Sequence, residues 1–215
     1  MENNLLIYNI GDAVLPCHVI QPHQTHSVKV ACIDDPGIAR EQLEGVDALV
    51  TNLRGVAIGV RTADCIPVLL YDSVRGAVGA AHSGWRGTVN MIAKKTVVEM
   101  IRLFGSSPSD IRAVIGPGIG FDSFQVGEEV ALVFKESGFP VDRIWNFRGA
   151  RAENSMEGGH HIDLKECVRI SLVDCGVPAD NIQVSDIDTY IDDRFYSARR
   201  EGTQTGRNIN AIKMV

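Results

Sequence analysis

Apolar positions repeat at helical spacing in three segments of this chain. After Thr88, apolar residues recur three and four positions apart, which predicts a helix capped by Thr88 and ended by the next glycine. A second helix is predicted from the apolar stripe that follows Asp163 and ends at Gly176. Glu166 lies three residues after Asp163, which is the spacing of a capping box. A third helix is predicted from about Gly127 to Ser137. These three segments are the helical part of the predicted fold.

Runs rich in β-branched residues, separated by turn residues, predict strands. The predicted strands are Val28–Ile33, Ala48–Thr51, Val56–Arg61, Pro67–Tyr71, Ala77–Ala81, Arg112–Ile115 and Ile182–Ser185. The links between strands from residue 46 to residue 82 are too short for crossover helices, so this part should be antiparallel or mixed. We therefore expect an α/β fold in which helices pack against a mixed sheet.

The composition and charge of the chain exclude several broad classes of protein. The 215 residues favour one domain, and 45% hydrophobic with 22% charged residues excludes a disordered or fibrous chain. No apolar run approaches the length of a membrane span, and a net charge of −6 argues against a nucleic-acid partner. Five irregularly spaced cysteines and an N-terminus without a basic targeting segment favour the reducing cytoplasm.

Three polar or glycine-rich segments are interpreted as connections. The segment from Arg148 to Gly159 is predicted to be a surface loop. The stretch Ile115–Gly120 lacks the Lys-Ser/Thr of a phosphate loop and is predicted to be a constrained turn. The pair His160 and His161 is expected to face solvent in a loop.

Two histidines and one cysteine stand where predicted strands begin or end. His26 precedes a strand, Cys65 follows one, and His82 ends one. Such positions can converge at one rim of a sheet, and two imidazoles with a thiolate suit Zn²⁺ with a fourth position open. The alternative is that Cys65 is a small core residue and that His82 bonds to backbone.

Arginines and glycines raise the question of an anion site. The turn after His82 contains Arg86 and leads into the predicted helix at Thr88, whose backbone N–H groups could bind an anion. The glycines on either side of Arg86 could equally serve only to form a tight turn. Near the C-terminus, Arg199, Arg200 and Arg207 form either an anion site or a solvated face.

Five sequence blocks resemble the signature motifs of the YfiH-type laccase-domain family. They are Gln24-Thr25-His26, Thr62-Ala63-Asp64-Cys65, Ala81-His82-Ser83-Gly84-Trp85-Arg86-Gly87, Ile115-Gly116-Pro117-Gly118-Ile119 and Phe195-Tyr196-Ser197-Ala198-Arg199-Arg200-Glu201-Gly202. The blocks follow the family's order over nearly the whole chain. The resemblance implies a single YfiH-like domain over residues 1–215, with a mixed α/β fold like the catalytic domain of cytotoxic necrotizing factor toxins.

The resemblance also implies a site and an activity. It implies that zinc is held by the catalytic residues His26, Cys65 and His82, and that the reaction is phosphorolysis of purine nucleosides with adenosine deamination as a companion. We expect Arg86, Arg61, Arg199 and Arg200 to bind phosphate or the ribose side, in a monomer or homodimer. Family members usually have a longer section before the first histidine, whereas 25 residues precede His26 here.

Three other functions remain open at the level of sequence. Copper-dependent phenol oxidation is the older family label, and copper also accepts histidine and cysteine ligands. Six histidines are too few, however, for a multicopper centre with a separate trinuclear cluster. Cys65 and His82 could instead form a thiolate–imidazolium pair for acyl transfer. The fourth possibility is a nucleotide-binding module without catalysis.

Overall fold

The computed structural model describes residues 5–10, 17–148 and 159–215. The strands in chain order are β1 (Leu5–Ile10), β2 (Val19–Ile20), β3 (Val30–Cys32), β4 (Ala48–Thr51), β5 (Ala57–Thr62), β6 (Ile66–Asp72), β7 (Ala77–Ser83), β8 (Ile111–Ile115), β9 (Gln125–Val126), β10 (Trp145–Arg148), β11 (Gly159–Ile162), β12 (Ile182–Val184) and β13 (Asn208–Met214). The α-helices are α1 (Trp85–Val89), α2 (Ile92–Phe104), α3 (Glu128–Glu136), α4 (Val141–Ile144), α5 (Leu164–Asp174) and α6 (Ala198–Glu201).

The described strands form three sheets. The six-stranded sheet has the order β12-β8-β6-β7-β4-β3, in which the outer pairs are parallel and the inner pairs antiparallel. The four-stranded sheet has the order β1-β13-β5-β2, and the three-stranded sheet has the order β10-β11-β9. The mixed α/β prediction is confirmed, but β5 leaves the neighbouring strands and pairs with β13 instead.

The six-stranded sheet is covered on both faces. Along β6, Ile66, Val68 and Leu70 pack in one apolar cluster with the helices, while Leu69 packs in a second cluster with residues of the four-stranded sheet. Alternate side chains of a strand point to opposite faces, so this split places helices on one face and a sheet on the other. Burial on both sides explains why the sequence of β6 is almost continuously apolar.

The predicted helix at Thr88 is two helices. Met91 adopts φ 63°, a left-handed conformation that separates α1 from α2. The Thr88 hydroxyl donates to the carbonyl of Gly84 within α1, so Thr88 does not cap the long helix and that prediction was wrong. The predicted end is confirmed, because Gly105 is left-handed at φ 67° and its N–H bonds to Ile101 O.

The other two helices agree with their predictions. Asp163 accepts a hydrogen bond from the backbone N–H of Glu166 at 2.9 Å, which confirms the N-cap of α5. The second half of the predicted capping box is not formed, because the Asp163 N–H bonds to Ile144 O instead. Gly127 precedes α3 at its N-cap, and Gly138 follows it at φ 84°. Among the described helices, none has both the length and the apolar content needed to cross a membrane.

The two adjacent histidines are not in a solvent-facing loop. Both lie in β11, where His161 is buried and His160 is half-buried. The β10–β11 register pairs His160 with Phe147, and the Trp145 indole donates to His160 Nδ1 at 3.0 Å. Pairing with a strand that the sequence pattern did not predict is the reason why that expectation was wrong.

The remaining connections divide into a confirmed turn and a segment that is not described. In the turn after β8, a Cβ on Gly118 would lie 2.5 Å from Ile66 Cδ1, so the backbone passes too close for a larger residue. Of the predicted 148–159 loop, residues 149–158 lie outside the described part of the chain.

The single domain, the cytoplasmic location and the monomeric or homodimeric state remain predictions.

Candidate metal centre

His26, Cys65 and His82 converge at one edge of the six-stranded sheet. One ligand atom from each residue lies within 4.8 Å of the other two. The antiparallel β6–β7 register explains part of this, because His82 pairs with Pro67, and Cys65, two residues before Pro67, lies on the same face as a diagonal neighbour of His82. His26 Nε2 lies 3.8 Å from Cys65 Sγ, and the two imidazole rings meet edge to face at 4.9 Å.

A fully buried carboxylate, Asp47, holds two of these three residues in place. Its Oδ1 accepts from the backbone N–H of His26 at 3.0 Å and lies 2.8 Å from His82 Nδ1. Its Oδ2 accepts from the backbone N–H groups of Thr25 at 3.0 Å and Ser27 at 2.7 Å. These bonds support the left-handed backbone of His26, which has φ 61°.

The charge of Asp47 sets the role of His82. Burial by itself raises the pKa of the Asp47 carboxyl, but hydrogen bonds from His82, Thr25 and Ser27 lower it below its ordinary value. An ionised Asp47 accepts a hydrogen bond from the N–H at His82 Nδ1, which leaves His82 Nε2 as the nitrogen that can bind a metal. Carboxylate–histidine pairs of this kind commonly orient metal ligands.

In the absence of a metal, Cys65 and His82 strongly shift each other's pKa. Burial raises the pKa of the Cys65 thiol, but the charge of His82 and hydrogen bonds from both imidazoles lower it to about 6. Burial likewise lowers the pKa of His82, but the Cys65 thiolate and Asp47 raise it to about 9. The metal-free pair is therefore a thiolate and an imidazolium, and a metal that binds both releases the imidazolium proton.

Gly84, the residue that follows β7, leaves room for the three donors. A Cβ at this position would lie 2.8 Å from His26 Cδ2 and 2.9 Å from Cys65 Sγ. No side chain of ordinary geometry approaches that closely, so a larger residue at this position forces the donors apart. The sequence alone offered only a tight turn as the reason for this glycine.

Replacement of Gly84 by alanine should therefore weaken metal binding, by about 10-fold or more, since small displacements of ligands are costly. Metal content after dialysis and a competition titration with a chelator measure the effect. Gly37→Ala is the matched control, because its Cβ would meet only the Asp35 side chain, at 3.2 Å. Equal metal affinity in the two variants would contradict this role for Gly84.

The turn that carries Cys65 is tied to the C-terminal segment through Asp64. Asp64 has φ 85°, and its carboxylate accepts from the Thr189 hydroxyl at 2.8 Å and from the backbone N–H of Arg199 at 2.7 Å. A left-handed backbone at a non-glycine residue is costly, so these long-range bonds are needed to hold the turn. The Thr-Ala-Asp-Cys motif therefore links the metal ligand to α6.

A pocket of about 510 Å³ opens beside the three donors. Its lining combines histidine, cysteine, arginine and hydroxyl side chains, and no aspartate or glutamate lines it in the described part of the chain. The lining residues are Pro22, His23, Gln24, His26, Arg40, Arg61, Ala63, Cys65, His82, Ala198, Thr203, Gln204, Thr205 and Arg207. Sequence analysis missed His23 and Arg40, and it singled out Arg207 only as part of a cluster.

The structure brings one of the four expected phosphate-binding arginines, Arg61, into this pocket. Arg86 is exposed and stacks over the Trp85 ring at 4.3 Å, and the helix that follows His82 is only the five-residue α1. The Arg199 guanidinium donates to the carbonyls of Ser123 and Gln125. The Arg200 guanidinium donates to carbonyls from the 189–195 segment. These three arginines contact protein rather than the pocket.

Comparison with known proteins places the chain in a family. A family model described as "Multi-copper polyphenol oxidoreductase laccase" matches residues 4–215. A "Purine nucleoside phosphorylase" of Bacteroides thetaiotaomicron is 42% identical over 99% of this chain and 79% of its own length. "Adenosine deaminase RL5", from an unknown prokaryotic organism, is 44% identical over 90% of this chain and 74% of its own.

Solved structures agree with this assignment. The crystal structure of the Bacillus licheniformis hypothetical protein YfiH matches 92% of this chain and 74% of its own, at TM-score 0.82 and 34% identity. YlmD from Geobacillus stearothermophilus matches 91% of this chain and 73% of its own, at TM-score 0.77 and 29% identity. The likeness to the toxin domain stays a prediction. Because sequence and fold both match along nearly the whole chain, this protein belongs to the multi-copper polyphenol oxidoreductase laccase family, among the relatives of YfiH and YlmD.

Proposed function

We propose that this protein is a zinc-dependent purine nucleoside phosphorylase that also deaminates adenosine. The observation that carries the proposal is the cluster of His26, Cys65 and His82 beside a pocket of about 510 Å³. A pocket of this size suits a nucleoside with phosphate. The relatives named purine nucleoside phosphorylase and adenosine deaminase support the choice of substrate.

The three donors fit zinc. Two imidazoles and one thiolate are a borderline-soft set, and a catalytic zinc site has three protein ligands with a fourth position open. Asp47 supplies the carboxylate that orients His82, as such sites commonly require. When bound, zinc supplies a Lewis acid to the pocket.

The pocket suits an anionic co-substrate. Arg40 and Arg61 line it, and the lining contains no described carboxylate that would repel phosphate. The backbone of Arg61 is held by Gln24, whose side chain makes two hydrogen bonds of 2.8 Å to the Arg61 N–H and carbonyl. In the proposed reaction, a phosphate oxygen bonds to the anomeric carbon of the ribose and the bond to the purine nitrogen breaks.

Replacing Arg61 with alanine should raise KM for phosphate about 10- to 100-fold, the effect expected for loss of a charged hydrogen bond. KM for the nucleoside should change much less. Initial rates at varied phosphate concentration measure both constants. Arg112→Ala is the matched control, because Arg112 is an exposed arginine in β8 and does not line the pocket. An unchanged phosphate KM in the Arg61 variant would contradict the assignment.

The direct test of the function is base release. Purified protein with its native metal is incubated with inosine or adenosine, with and without phosphate, and the products are separated. Formation of free base and ribose 1-phosphate only when phosphate is present supports the proposal, and conversion of adenosine to inosine supports the deaminase activity. Absence of base release at full metal occupancy would overturn the proposal.

Copper-dependent phenol oxidation is the second candidate, because the family description names it. The same three donors accept copper. In the described part of the chain, however, this is the one group of histidines, cysteines and carboxylates arranged to hold an ion. Elemental analysis of protein purified without added metal separates the two functions, because stoichiometric copper together with phenol turnover would favour the oxidase.

A further inference from the structure

A histidine–glutamate pair lies at the same pocket as the candidate metal centre. His23 lines the pocket together with His26, Cys65 and His82. Its Nδ1 lies 2.5 Å from Glu44 Oε2. Because an ionised carboxylate only accepts hydrogen bonds, Nδ1 carries a proton in this contact. The second ring nitrogen, Nε2, makes no hydrogen bond to the protein in the described structure.

The backbone around His23 is held on both sides. The N–H of His23 donates to Leu43 O at 3.1 Å, and its carbonyl accepts from the N–H of Gly45 at 3.0 Å. The next residue, Gln24, is bonded twice to the backbone of Arg61. These contacts hold the backbone of His23 beside the pocket, and the Glu44 carboxylate orients the ring, in a contact where both side chains are more than half exposed. An imidazole oriented by a carboxylate is the usual arrangement of a histidine that transfers protons.

The other pocket residues are unsuited to proton transfer. His26, Cys65 and His82 are the metal donors, and the arginines do not release protons near neutral pH. Threonine and glutamine side chains are not acids in this range. Among the described residues that line the pocket, His23 is therefore the one side chain outside the metal donors that can both carry and release a proton.

We infer that His23 is the general acid that protonates the departing purine, an inference that rests on the proposed phosphorolysis. His23 acts as the imidazolium, with one N–H at Nδ1 bonded to Glu44 and a second N–H at Nε2. As the glycosidic bond breaks, its electron pair goes to the purine, and the Nε2 proton passes to purine N7, which leaves His23 neutral. The phosphate oxygen forms the new bond to the anomeric carbon. The resulting sugar phosphate loses its remaining acidic proton to solvent, and solvent reprotonates His23, so charge and atoms balance.

Purine nucleosides with different leaving groups test this role. Inosine needs a proton on N7, whereas 7-methylinosine already carries a methyl group and a positive charge there. In His23→Gln, kcat/KM for inosine should fall about 100- to 10,000-fold, the usual contribution of a general acid. For 7-methylinosine it should stay within about threefold of wild type, since no proton is needed. Glu44→Gln should show the same selectivity with a smaller loss on inosine.

Controls separate this role from metal binding and from folding. Metal content and thermal unfolding are measured for each variant, and His18→Gln, an exposed histidine that does not line this pocket, should behave as wild type. Equal losses on both nucleosides, unchanged inosine turnover, or loss of metal in the His23 variant would each overturn the inference. If wild-type protein releases no base from either nucleoside, the proposed function itself fails.

Discussion

Replacing Cys65 with alanine is expected to remove the bound metal and with it the phosphorolysis. Cys65 Sγ is the sulfur donor of the cluster, and it lies within 4.8 Å of both imidazole donors. Loss of a residue that only orients a ligand already costs about 10- to 100-fold in metal affinity or activity. Loss of the sulfur itself should therefore exceed 100-fold in both. Elemental analysis of the purified variant and phosphate-dependent base release from inosine are the two measurements.

The matched control for this variant is Cys175→Ala. Cys175 is half-buried at the C-terminal end of α5, its thiol donates to Leu172 O, and it lies outside the pocket. It should keep metal and activity at wild-type levels. Full activity of a metal-free Cys65 variant would remove the metal from the proposed mechanism. The Cys65 thiol would then not be required for phosphorolysis, either as a metal ligand or as a nucleophile.

Replacing Asp47 with asparagine is expected to lower both metal affinity and stability. The carboxylate accepts from four N–H groups, two on each oxygen. An amide keeps one oxygen and turns the other position into a donor, so two N–H groups lose their acceptor in either orientation. A donor left without a partner costs about 1–3 kcal/mol, with the part-buried backbone N–H groups at the low end because water can reach them and the buried His82 N–H at the high end. We therefore expect a loss of about 2–4 kcal/mol in unfolding free energy and about 10- to 100-fold in metal affinity.

Denaturant unfolding of the metal-free proteins and chelator competition measure the two effects separately. Asp142→Asn is the matched control, since Asp142 is exposed in the first turn of α4 and its loss should cost no more than about 1 kcal/mol. If the Asp47 variant binds metal as tightly as wild type, the carboxylate does not position the ligands. A stability loss alone would then identify Asp47 as a structural residue.

Much of the site chemistry was visible in the sequence because its donors stand in short, specific blocks. His26, Cys65 and His82 were predicted from strand ends and from the family motifs, and they do converge. Asp47 was missed. The only signal was a lone carboxylate at the start of the apolar run that forms β4. Its function depends on partners in the 25–27 loop and in β7, which sequence spacing does not reveal.

The C-terminal arginines were predicted to bind phosphate, but in the fold they form hydrogen bonds to the protein's own backbone. Arg199 and Arg200 each donate to at least two backbone carbonyls, so their guanidinium groups hold neighbouring loops together. Arg40 stood in no recognisable motif, yet it lines the pocket beside Arg61. Charge runs do not indicate which side chains face a common cavity.

The sequence by itself determined the features that depend on local interactions. The cap of α5, the glycine end of α2 and the strand character of β4 to β8 depend on residues within a few positions of one another, so the pattern was enough. Only the tertiary structure decided the sheet to which β5 belongs, the burial of His161, the break at Met91 and the arginines that face the pocket. Each of these depends on strand register and on hydrogen bonds between segments distant in the chain, and one residue of register reverses the face on which a side chain lies.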